Sequence, residues 1–164
     1  MALTKLNNNS LHAITDGSAL KNVTGTVLQT VTADIGGSAV TTTSSSHVTS
    51  GKSATITPKS SSSKIIIQLH LGDTAADNNH AGTGVALYRG STRVATLNSR
   101  HAYSVSGSNP SGLGIAGLSP IWFDSPATTN ATTYTVYFDN GGAGTATLFR
   151  DGTDGCIVLQ EIAG

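Results

Sequence analysis

Charged side chains are scarce in this sequence. They make up 11% of its 164 residues, and nine basic and nine acidic groups cancel to a net charge of zero. Ordinary domains carry about 25%. Without a basic stripe the chain has nothing to neutralise a run of phosphates, which excludes a nucleic-acid partner. The same neutrality argues against an anionic membrane surface. There is one cysteine, Cys156, so neither an internal disulfide nor a Cys-rich zinc site is available. Its place in the apolar run 156–162 leads us to expect a small buried hydrophobe. No stretch approaches the 18 apolar residues of a membrane span. The opening MALTKLNNNS lacks the cationic start and apolar stretch of a signal peptide. The expectation is a soluble product of a reducing cytoplasm.

What the chain has instead is hydroxyl and glycine: 24 Thr, 20 Ser and 19 Gly. Threonine is stiff at its β-branched carbon and suits a pleated, half-wetted surface. From Gly25 onward, short runs rich in Val, Ile, Thr and Tyr alternate with Gly, Asn, Asp, Pro and Ser clusters. Strands are expected at 27–33, 53–58, 64–71, 84–89, 92–98, 120–123, 132–139, 145–150 and 156–162. The most apolar of them, KIIIQLHL (64–71), reads as a central strand. Gly90-Ser91 has the Gly-first chemistry of a two-residue hairpin, and Asn140-Gly141 is read as the turn leading into 145–150. No 12-residue window carries a clean helical stripe. Nine or ten short strands at this spacing predict an all-β fold, an antiparallel jelly-roll-like β-sandwich knob over residues 26–164. Residues 36–51 and 73–82 read as long polar loops.

Residues 1–25 are different. Leu3, Leu6, Leu11, Ile14 and Leu20 are scattered among Asn, Ser, Thr and Gly with no period. They read either as a disordered terminus or as an arm that lays these side chains on a partner.

Candidate chemistry is thin. Gly112-Leu-Gly114-Ile-Ala-Gly117 spells a dinucleotide fingerprint, but no strand-to-helix context surrounds it, so no phosphate site is expected. No G-x-S-x-G elbow occurs among the many serines. Asp73, Asp77 and His80 share a polar loop that would suit a hard cation. Such residues also initiate turns, and the solvated loop is the preferred reading. No metal and no cofactor are expected. His70 within the central strand is read as a structural histidine with one bonded nitrogen. Trp122 and Phe123 are expected to face the core, where large aromatics contribute most. If exposed, Trp122 with His101 and Tyr103 would offer a ligand platform for a host glycan.

Several segments taken in order carry a resemblance: GTVLQTV (25–31), ATITPKSSSSKIIIQLHL (54–71), VALYRGSTRVA (85–95), FDSPATTNATTYTVYF (123–138) and LQEIAG (159–164). The series resembles a β-rich knob domain of bacteriophage head-decoration and tail-fibre proteins, notably from phages of marine bacteria and cyanobacteria. It covers about residues 25–164. The resemblance implies a virion surface component that assembles as a homotrimer, with no enzymatic activity.

Two roles follow from it. One is a capsid decoration, or cement, protein, with the arm of residues 1–25 on the major capsid protein or another virion protein. The other is a short tail-fibre or head-fibre tip that contacts the bacterial host surface. Heptads, collagen-like repeats and β-helix periods are all missing from the sequence, so no shaft is expected, which favours the decoration role.

Overall fold

The computed structural model describes residues 24–77, 82–102, 113–115, 117–142 and 144–164. Among the described residues the chain runs through twelve strands. The first six are β1 (Val27–Asp34), β2 (Val40–Thr42), β3 (Val48–Ile56), β4 (Lys64–His70), β5 (Thr74–Asp77) and β6 (Thr83–Arg89). The others are β7 (Thr92–His101), β8 (Leu113–Ile115), β9 (Ile121–Asp124), β10 (Thr132–Asp139), β11 (Thr145–Leu148) and β12 (Cys156–Ile162). A single 3₁₀ turn, Arg150–Gly152, separates the last two.

The strands form three sheets, ordered β1-β12-β4-β9, β3-β10-β6-β7 and β2-β11-β5-β8, and every pairing is antiparallel. The first two are the layers of a sandwich. Counted alone in chain order, their eight strands interleave as 1-8-3-6 and 2-7-4-5, which is a jelly roll. The third sheet has a simple origin. Each of its strands comes from one connection between the layers: β2 lies between β1 and β3, β5 between β4 and β6, β8 between β7 and β9, and β11 between β10 and β12.

Alternation drives the packing. Along β10, Tyr134, Val136 and Phe138 are buried while Thr133, Thr135 and Tyr137 are half-exposed. Ile65, Ile67 and Leu69 of β4 and Ile157 and Leu159 of β12 meet them from the other layer, and Leu148 and Phe149 extend the same core beneath the third sheet. Each such side chain contributes about 1.5–3 kcal/mol when fully buried. The central place expected for KIIIQLHL holds, because β4 lies between β12 and β9. The hairpin at Gly90-Ser91 holds as well: Arg89 pairs with Thr92, and Gly90 takes φ 56°.

Three sequence expectations are corrected. The polar segments 36–51 and 73–82 contain β2, β5 and the start of β3. Strands of three or four Thr- and Ala-rich residues show too little alternation to be read alone. Asn140-Gly141 does turn the chain toward β11, with Gly141 at φ 56°, but into a different sheet from β10. The buried Asn140 amide donates to the carbonyls of Thr43 and Gly144, at 2.9 and 3.0 Å. Cys156 is exposed, not buried, because it begins β12 on the outward face. Finally, Trp122 and Phe123 do not fill the core: they are 38% and 63% exposed, beside Ile121 at 58%. β9 is an edge strand, so even Trp122, opposite buried Ile67, keeps one side open.

Candidate functional site

Two carboxylates, one buried and one partly buried, are committed to holding the sandwich together. Asp124 on β9 accepts from Arg89 Nη1 at 2.8 Å and from the Tyr134 hydroxyl at 2.7 Å, tying one layer to the other. Burial, and then the hydrogen bond to Asp124, push the Tyr134 phenol well above its ordinary range. Glu161, fully buried near the end of β12, accepts from Gln29 Nε2 at 2.6 Å and from the backbone N–H of Lys59 at 2.7 Å and of Ser60 at 3.3 Å. Both are architectural devices that satisfy buried charge by direct hydrogen bonds.

Two outward surfaces are left for function. The first is the outer face of the β1-β12-β4-β9 sheet. Residues directly opposite each other across a ladder share a face, so Phe123 sits with Ile66, and Ile121 with Gln68 and Val158. Ile162 and Val27, the latter 48% exposed, extend this patch at the β1 edge. Gln68 and Gln160 bond to each other across its middle, at 3.3 Å. Lys64 lies at one end of the face, while Asp34, Cys156 and His70 form a row at the other. His70 Nδ1 is 2.9 Å from Ser119 Oγ, the single bonded nitrogen expected of it.

The second surface lies on the outer face of the β3-β10-β6-β7 sheet. A cleft of about 450 Å³ is lined by Ser45, Ser46, His47, Tyr88, Arg93 and Asp139. The Tyr88 and Tyr137 rings stack with centroids 3.9 Å apart, and His47 meets Tyr88 edge-on at 6.2 Å. His47 Nε2 is 3.2 Å from Asp139 Oδ2, and the other oxygen of Asp139 accepts from the Gly141 N–H at 2.8 Å. Gly84, opposite Asp139, leaves the room this carboxylate occupies, since a Cβ there would collide with it. The Ser44–Ser46 corner is held by its own hydroxyls and by the Asn140 N–H, which donates to the Ser44 carbonyl at 2.8 Å. The chemistry available is recognition: a ring face, a guanidinium and several hydroxyls around a firm floor.

The residues singled out from sequence fare differently. Trp122 is on the exposed apolar edge, His101 ends β7 in the other layer, and Tyr103 lies outside the described residues. The arm residues Leu3, Leu6, Leu11, Ile14 and Leu20 also lie outside them, as does His80. Among the described residues no group of three His, Cys, Asp or Glu is arranged to hold a metal, and no helix is long and apolar enough to cross a membrane. Within the Gly112–Gly117 fingerprint, Leu113–Ile115 form β8. The cleft residues went unnoticed in the sequence because they are scattered from position 45 to 139. Their one visible signal was Tyr137, an aromatic in the outward, threonine-rich set of β10.

No protein-family model matches the sequence, and no curated protein matches it. Among solved structures, the chain is similar to one from infectious bursal disease virus, Gt strain, with 10% identity and a TM-score of 0.39 over 85% of this chain and 39% of that one. The VP2 subviral particle of the same virus gives 10% identity and a TM-score of 0.35, over 83% of this chain and 42% of that one. A protein of Bacillus endospore appendages gives 14% identity and 0.26, over 87% and 95%. The chain therefore spans about two fifths of the viral chains. Likeness at this level carries no argument about function, and the case for one rests on the surfaces themselves.

Proposed function

We propose that this chain is a virion structural protein: a homotrimeric decoration knob that sits on a capsid through residues 1–25 and performs no reaction. The observation that carries the reading is the exposed apolar face built from Val27, Ile66, Ile121, Phe123, Val158 and Ile162. Apolar side chains exposed together on one sheet face, around a central pair of glutamines, fit an association site. Closed symmetry lets identical copies hide it. The ordered series of phage-knob segments supports the same reading. So does the hydroxyl-rich, charge-poor composition, which wets a surface without relying on interactions that salt would screen.

Light scattering on the full chain tests assembly: three copies of 16.6 kDa are expected, and the double substitution I121S/F123S is expected to give a folded monomer. Co-sedimentation with the capsids it is made with tests attachment, which deletion of residues 1–25 should abolish. A wild-type chain that stays monomeric, or a truncated chain that still decorates capsids, overturns the corresponding part of the proposal. The cleft beside Tyr88 favours the alternative of a short fibre tip touching a host surface. Head-wide against tail-only labelling of particles separates the two.

A further inference from the structure

We infer that the cleft on the outer face of the β3-β10-β6-β7 sheet is a saccharide-binding site, and that its ligand is an acidic sugar, one bearing a carboxylate. The inference stands apart from the decoration reading, since it needs no virion and no trimer.

The cleft measures about 450 Å³, within the range of roughly 300–1,000 Å³ typical of small-molecule sites. A second hollow of about 340 Å³, lined by Arg89, Gly90, Pro126 and Thr128 among others, is of similar scale. Its one charged group, however, is already spent on Asp124.

One side of the first cleft, otherwise lined by polar residues, is the Tyr88 ring. Tyr137 covers one face of Tyr88, so the ring is held in place and a single face of it is left for a ligand. A sugar ring has an apolar C–H side, and the electron-rich face of an immobilised phenol is a complementary surface for it. Because the ring is already stacked, little rotamer entropy is lost when a ligand docks.

Charge selects the sugar. Both oxygens of Asp139 are engaged, one by His47 and the other by the Gly141 N–H. Arg93 lies directly across the β6–β7 ladder from Tyr88 and is exposed. Among the described residues its guanidinium has no hydrogen-bond or ion-pair partner. The charged group of the cleft with hydrogen-bonding capacity to spare is thus the Arg93 guanidinium, beside a ring face. A guanidinium presents its donors as a fork that matches a carboxylate in two parallel hydrogen bonds. Ser45 and Ser46 supply hydroxyls for the remaining sugar oxygens.

Titration calorimetry and ligand-observed NMR on the full chain test this. The probes are the methyl glycosides of glucuronic, galacturonic and N-acetylneuraminic acids, with methyl glucoside and methyl galactoside as neutral controls. At least one acidic glycoside is expected to bind with a Kd of about 1 mM or tighter, and about tenfold more tightly than its neutral counterpart. Arg93→Gln, at an exposed position, is expected to keep the wild-type melting temperature and lose that tenfold preference. Tyr88→Ala should lose binding of both classes. The inference is overturned if no acidic glycoside binds at about 20 mM, well above that expected Kd, if neutral and acidic sugars bind equally, or if Arg93→Gln binds as the wild type does.

Discussion

Glu161 accepts the backbone N–H of Lys59 at 2.7 Å, a bond between residues 102 positions apart. It closes the turn that carries the chain from β3 in one layer to β4 in the other, and through Gln29 it also reaches β1. Removing the carboxylate by Glu161→Ala takes the acceptor from two partly buried amides and from Gln29, so a loss of about 1–3 kcal/mol is expected in urea unfolding. Glu161→Gln keeps one acceptor oxygen and should lose about half as much. An alanine variant within about 0.5 kcal/mol of wild type, the range of ordinary surface substitutions, would show that the bond is ornamental.

Tyr134 predicts how stability responds to alkali. Its phenol is raised above the ordinary 10.0 by burial and by Asp124, so the folded state holds that proton more tightly than the unfolded chain does. The contribution is fully present below about pH 10 and is lost as pH climbs beyond it, at up to about 1.4 kcal/mol per pH unit. Tyr134→Phe should cost about 1 kcal/mol at neutral pH and flatten this alkaline decline. Chemical unfolding at pH 9, 10 and 11 provides the comparison. Parallel curves for variant and wild type would refute the assignment.

Cys156 is exposed, in a row with Asp34 and His70. In the I121S/F123S chain, a thiol reagent such as DTNB should label one cysteine per molecule in native buffer, at a rate within about tenfold of the unfolded chain. Since Cys156 shares its face with the apolar patch, assembled wild-type protein should react more slowly. Equal rates in the two proteins would place the interface elsewhere.

Much of the sandwich was legible in the sequence, because its long strands alternate or are wholly apolar. The expected span 132–139 matches β10 and 156–162 matches β12, while of the third sheet only β11, inside the expected 145–150, was read. The reason is length: β2 and β8 have three residues each, and their pairing is decided by the ends of the flanking strands, not by their own composition. The aromatic strand misled for a related reason. IWFD has apolar residues at three successive positions, so the sequence does not say which faces in, and an edge position leaves all three partly open. The cleft was harder still, since no spacing links His47, Tyr88, Arg93 and Asp139. Only the ladder registers bring them together.

The sheet made from the four connections has a consequence for how this molecule can vary. At that end each of these four connections donates a strand to one or two neighbours, so lengthening one would disturb the strands it pairs with, and diversity there is coupled. The opposite end carries the two-residue turn at Gly90-Ser91 and the segment 125–131, neither of which is part of a ladder. Foreign peptides grafted at that end should be accommodated, whereas the same grafts between β10 and β11 should prevent folding. A lineage of such proteins would then change its appearance at one pole while the other stayed frozen.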